Sequence, residues 1–253
     1  MLNDATPLGS RKGLDVLRWE DPSGARVTFE LRDGVIDNFM PSFAGRWRTR
    51  LDNIRRLSRD VSGADVVDAD GEQLTVLTLE LEERALLADR VASADAAIIA
   101  LGTNVEVFED AAAFAASDSS SLGDPRQSGD PPELVTAMGW PWPPRFAPES
   151  FVSTGIFGAP EVATADARLN GTVAGSELRT NSLTGQSFLL ARVGTAGFDV
   201  DMCISRSDDS DHLGLGMVVG GYVFMVGSLN KPPRGPSRSW LRSLFLPRRP
   251  PLA

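Results

Sequence analysis

Apolar and polar residues alternate along most of this chain with a period of two, in short runs closed by turn residues. That is the mark of antiparallel sheet. Val16 to Trp19 leads into Asp21-Pro22-Ser23-Gly24, Ala25 to Leu31 alternates, and Asp33-Gly34 turns the chain into Val35 to Phe39. Asp-Gly between alternating runs is a strong hairpin signal. A second hairpin is predicted from Ala64 to Val67 through Asp70-Gly71 into Gln73 to Leu81, a strand apolar on both faces and therefore central. A third pair, Ala94 to Leu101 and Asn104 to Phe108, is expected around Gly102-Thr103.

Two helices are predicted. Asp110 caps a short one over Ala111 to Ala116, and Leu51, Ile54 and Leu57 share one face of another over Arg48 to Leu57. Beyond residue 150, Arg168 to Arg179 reads as a strand and Ser187 to Val193 pairs with Phe198 to Ile204. Met217 to Leu229 gives one long or two short strands bent at Gly220-Gly221.

The expected fold is therefore mainly β, with α+β as the alternative class: two antiparallel β-rich units with one or two short helices. The second unit suits a small OB-like barrel. The expected division is a flexible N-terminus (1–12), a first unit (13–116), a Pro/Ser/Trp linker or strap (117–150), a second unit (151–230) and a basic Pro-rich tail (231–253). No internal repeat is visible, because the turns and spacings of the two units do not align.

Composition narrows the function classes. No apolar run approaches the roughly 18–20 residues that span a bilayer, and Met1 to Lys12 carries no secretory pattern, so the expected compartment is the cytoplasm. Arginine outnumbers lysine 23 to 2, a usage found in high-GC bacterial proteins. The net charge is −9; because residues 231–253 carry +6, the remainder carries −15. Such a body repels nucleic acid over most of its surface and favours a cationic or protein partner.

Chemistry is sparse. Cys203 is the one cysteine, in an alternating strand, and reads as a buried inert thiol; His212 is the one histidine, in an acidic loop. No cofactor or metal site is expected, and no phosphate loop, dinucleotide fingerprint or nucleophile elbow is present.

Three segments remain as candidate sites. Arg46, Arg48, Arg50, Arg55 and Arg56, with Arg59 and Trp47 beside them, can grip an anion or pair internally with the chain's own acids. Trp140, Trp142, Arg145 and Phe146, held extended by prolines, form either a docking strap for a partner or an internal one. Trp240, Arg242 and Phe245 in the basic tail suit weak contact with an anionic membrane surface or fold-back onto the acidic body. The leading expectation is a non-catalytic binding or regulatory protein of the bacterial cytoplasm that recognises a protein partner, an immunity-like role being one form of it. The rival is a carboxylate-based hydrolase with an arginine-lined anion pocket, its carboxylates carrying raised pKa values.

Overall fold

The structure is a computed structural model that describes residues 1–123, 129–139, 142–206 and 212–230. It is mostly strand, with two short helices, as the alternation predicts. The first sheet is antiparallel, in the order β1 (Thr6–Arg11), β2 (Leu14–Glu20), β3 (Ala25–Arg32), β4 (Val35–Phe43). The N-terminus is thus no loose end: Thr6 to Arg11 pairs with Leu14 to Arg18 of β2, with the Lys12-Gly13 turn between them.

The second sheet takes β5 (Thr49–Arg56), β6 (Val61–Val67), β7 (Gln73–Leu81), β8 (Arg90–Phe108), β9 (Ser150–Val152), β10 (Asp166–Thr180), β11 (Ser187–Thr195), β12 (Phe198–Ser205) and β13 (Val218–Leu229). The helices α1 (Ala111–Ala116) and α2 (Glu133–Ala137) lie between β8 and β9, and Asp110 accepts from the Ala113 N–H to cap α1. The boundary between sheets therefore falls between Phe43 and Thr49, and the large sheet draws strands from both sides of residues 117–150.

Two predicted elements change type. Arg48 to Leu57 is a strand, not a helix. Its apolar spacing of three comes from a bulge between Asp52 and Arg55, with Asn53 at φ 50°, which keeps Leu51 and Ile54 both buried on the barrel side. The expected hairpin at Gly102-Thr103 is a single 19-residue strand, β8; Thr103 is merely bulged out opposite Tyr222–Val223, and its hydroxyl bonds the Tyr222 carbonyl.

The pairing repeats. β5–β6–β7 is an antiparallel meander whose first strand also pairs with β8; β10–β11–β12 is another, whose first strand pairs with β13. The third strand of each meander then runs parallel to the other half's last strand, β7 to β13 and β12 to β8. The long strands β8 and β13 pair antiparallel from Ala96 to Phe108, and Ile99 faces Val226 where both parallel contacts meet. Two closed five-strand rings thus share one strand pair, related by an approximate two-fold at Ile99–Val226. The predicted second unit supplies four strands of its ring and does not close alone, because β8 is the fifth.

Alternation in β8 sorts the two sides. Ala96, Ile98 and Ala100 enter the common core with Leu77, Leu79, Leu169, Met202 and Met225, while Ala97 and Ile99 point outward and are covered by Met40 and Phe43 of β4. The small sheet is therefore a lid over the two-fold. Its other face carries a satellite core of Leu17, Phe29 and Leu31.

Candidate functional site

The residues of β2 and β3 that face the barrel are mostly polar, Arg18, Arg26, Thr28 and Glu30 among them, with Leu14 and Val16 the apolar exceptions. Arg18 and Arg26 reach the same carboxylate, Glu82, at 3.0 and 3.4 Å, and the Ser42 hydroxyl donates to it at 2.7 Å. Glu82 is fully enclosed, in a Glu82-Glu83-Arg84 corner that follows β7. Arg84, also buried, contacts Glu30 at 2.9 Å, Glu80 at 2.9 Å and Asp60 at 3.4 Å. Burial, then Asp60 and Glu30, push the Glu80 carboxyl above its usual range against the lowering effect of Arg84. Glu83 is pushed up to about 8 by burial and by the adjacent Glu82, although it accepts the Leu229 N–H at 3.0 Å. This clasp fixes the small sheet on the barrel.

Beside the clasp the two bodies leave a cleft of about 420 Å³. Arg11 and Lys12 enter it from the β1–β2 hairpin, Arg32 from the end of β3, Arg56 from the end of β5, Arg59 from the β5–β6 connection, and Arg84 from the floor. Its carboxylates are Glu30, Asp37 and Asp89. Arg59 bonds Asp37 at 2.9 Å, and Asn38 bonds Asp60 at 2.9 Å, so the β3–β4 hairpin is tied to the β5–β6 connection.

Above the cleft, β4 is an edge strand that pairs only with β3. Phe39 lies opposite Phe29 and Ile36 opposite Leu31, so the satellite core's apolar face continues to the edge, where it is open. Val35 is 70%, Ile36 44% and Phe39 65% exposed.

The predicted arginine cluster is dispersed. Arg46 pairs with Glu177 at 3.1 Å, Arg50 with Asp52 at 3.4 Å and Arg55 with Asp65 at 3.8 Å, while Arg48 is exposed just before β5. Of the five, only Arg56 reaches the cleft. The cleft's other cations were missed because they come from residues 11, 12, 32 and 84, far apart in the chain; the turn residues Lys12-Gly13 and the Glu82-Glu83-Arg84 run were the available signals.

In the strap, Arg145 binds inward: its Nη1 donates to the carbonyls of Ala115 (3.0 Å) and Ser117 (2.8 Å) and to the Ser120 hydroxyl. Arg168 lies 5.6 Å from the Phe146 ring and 5.2 Å from the Tyr222 ring, and the Trp142 indole donates to the Gly129 carbonyl. Trp140, the Asp208 to Asp211 loop and the tail residues Trp240, Arg242 and Phe245 lie outside the described residues.

Cys203 sits beside Phe43 and Leu101; burial, then Asp201, push its thiol up to about 12. Among the described residues no group of three or more His, Cys, Asp or Glu is placed to hold a metal ion, and no helix is long and apolar enough to cross a membrane. Comparison with known protein families, characterised proteins and solved structures finds no match to this chain.

Proposed function

We propose that the protein is a non-catalytic recognition protein that binds a protein partner through the exposed edge of its small sheet. The observation that carries this reading is the open apolar face at β4. Ile36 and Phe39 continue the satellite core's face across this edge strand, Val35 is exposed on its other face, and the sheet is clasped to the barrel. Edge strands are normally blunted by charge, proline or bulges. β4 carries such devices, the bulge at Asp37 and Pro41 nearer the barrel, and these favour docking of an apolar partner surface over simple strand addition. Large apolar side chains held on a rigid scaffold are what hot-spot contacts require.

The hydrolase reading receives less support. It requires free arginines gathered beside paired carboxylates, whereas Arg46, Arg50, Arg55 and Arg59 each hold an acid of the same chain. The carboxylates with raised values, Glu80 and Glu83, belong to the clasp.

The test is capture from the source organism with the wild-type chain, Phe39→Asp and, as control, Phe157→Asp, which alters a 74% exposed aromatic elsewhere. One partner retained by wild type and the control and lost by Phe39→Asp is the expected result. Equal capture by all three, or reversible self-association abolished by Phe39→Asp, overturns the reading.

A further inference from the structure

We propose that the cleft between the small sheet and the barrel is a binding site for a compact phosphate-class polyanion. Its ligands are Arg11, Lys12, Arg32 and Arg56. This does not rest on the partner surface at β4.

The first ground is charge. The chain as a whole carries −9, yet this one cleft gathers six cationic side chains and three carboxylates. Like charges converging in a concave, partly dehydrated space repel one another, and the field they make is focused there. Two of the three carboxylates are already committed, Glu30 to Arg84 and Asp37 to Arg59. Among the described residues, Arg11, Lys12, Arg32 and Arg56 have no acid within ion-pair distance. Acids of the chain pair with Arg46, Arg50, Arg55 and Arg192 but with none of these four.

The second ground is that the cations are held. Arg56 donates Nη2 to the Arg84 carbonyl at 2.8 Å, and Arg11 donates Nη1 to the Leu86 carbonyl at 3.4 Å. Both guanidinium groups are thus anchored to the corner that follows β7, with further N–H donors to spare. Lys12 occupies a left-handed conformation at φ 49°, at the tip of a two-residue hairpin turn, a conformation that side chains seldom adopt. The floor is the buried Arg84 clasp, so the site keeps its shape without ligand. Its volume lies within the range of small-molecule sites.

The third ground is the match of donor to ligand. Guanidinium forks bind oxyanions through paired N–H bonds, and a lysine adds a point charge. A single carboxylate would leave most of the cleft's excess charge unmet. Linked phosphates supply several charges within one small volume.

The experiment is calorimetric titration of tripolyphosphate into the full chain at about 50 and about 200 mM salt. Orthophosphate and a nucleoside triphosphate form the two comparison arms. Saturable binding to one site is expected, weaker for orthophosphate and equal for tripolyphosphate and the nucleotide if the phosphates alone are read. A tighter nucleotide would keep the site and add a base contact. Lys12→Gln and Arg32→Gln alter exposed side chains and each weaken binding by about tenfold, whereas Arg48→Gln, outside the cleft, leaves it unchanged. Ligand also raises the unfolding temperature of wild type but not of the double variant. Absence of saturation at millimolar tripolyphosphate overturns the proposal. So does equal weakening by Arg48→Gln, or preference for a single-stranded oligonucleotide over tripolyphosphate.

Discussion

Replacing Glu82 by alanine tests whether the small sheet is held by the buried clasp or by apolar contact alone. Glu82 is fully enclosed and receives Arg18, Arg26 and Ser42. Removing one partner of a buried ion pair costs about 3–5 kcal/mol, because the remaining charge is left without compensation. Here the stranded arginines are not sealed off: the Arg18 side chain is 26% and the Arg26 side chain 13% exposed, and Arg26 keeps Glu20 at 2.7 Å. Water recovers part of the loss, so the lower end of the range applies, about 3 kcal/mol. For a chain of this size each kcal/mol moves the unfolding temperature by about 2–4 °C, which gives a fall of roughly 6–12 °C. Asp199→Ala supplies the comparison, since it breaks the pair with Arg192 whose side chains are 36% and 45% exposed. That change should cost under about 1 kcal/mol. Urea unfolding measures both, and amide exchange should show β1 to β4 losing protection first in Glu82→Ala. If Glu82→Ala costs no more than Asp199→Ala, the clasp does not hold the sheet and the reasoning fails.

Three further outcomes follow from the same structure. The folded state raises Glu83 to about 8, so it binds a proton that the unfolded chain releases at its ordinary value near 4.5. This group's contribution is complete below pH 4.5 and disappears as pH rises through about 8, so the urea midpoint should fall between pH 5 and 8 and the fall should shrink in Glu83→Gln; an equal fall in both chains refutes it. Gly221→Ala should destabilise the β8–β13 pair severely, by more than about 2 kcal/mol, since an added methyl would sit 2.0 Å from the Asn104 carbonyl oxygen; a thermal midpoint within experimental scatter of wild type would contradict it. Cys203, with its thiol pushed up to about 12, should react with a disulfide reagent only after unfolding, and fast labelling of the native chain would show that the groove beside Phe43 opens.

What the sequence made legible is the period-two content: most strands, the Asp33-Gly34 turn and the capped helix after Asp110 all follow from local pattern. What it hid was non-local. The bulge at Asn53 gives β5 the spacing of a helix, and Gly102-Thr103 resembles a turn although β13 carries β8 straight through it. The repeat was invisible because it resides in pairing partners rather than in residue types. The arginines of residues 46–59 are adjacent in sequence, yet strand alternation and separate acids scatter them. The cleft that does gather cations is assembled from a hairpin tip, a strand end and a corner, which no window of sequence contains.

The two-fold explains why, among the described residues, the clasp lies on one side of the axis. By the register of the parallel contacts, Glu80 corresponds to Asp201 and Glu82 to Cys203, each just where a meander's last strand meets the other half. Glu80 and Asp201 are alike: both are acids pushed upward, first by burial, and both tie down a neighbouring segment. Glu80 holds Arg84, and Asp201 accepts the Arg46 N–H at 2.7 Å. At the next inward position the halves diverge, with a carboxylate on one side and a thiol on the other. A single small sheet laid over the axis cannot treat both sides equally. It turns its arginines to Glu82 and its Phe43 to the apolar side of Cys203 and Phe188, the latter ring at 5.9 Å. The polar side leaves a charged cleft and the apolar side a closed contact, so breaking the symmetry with β1 to β4 is what creates a distinct binding face on an otherwise near-symmetric barrel pair.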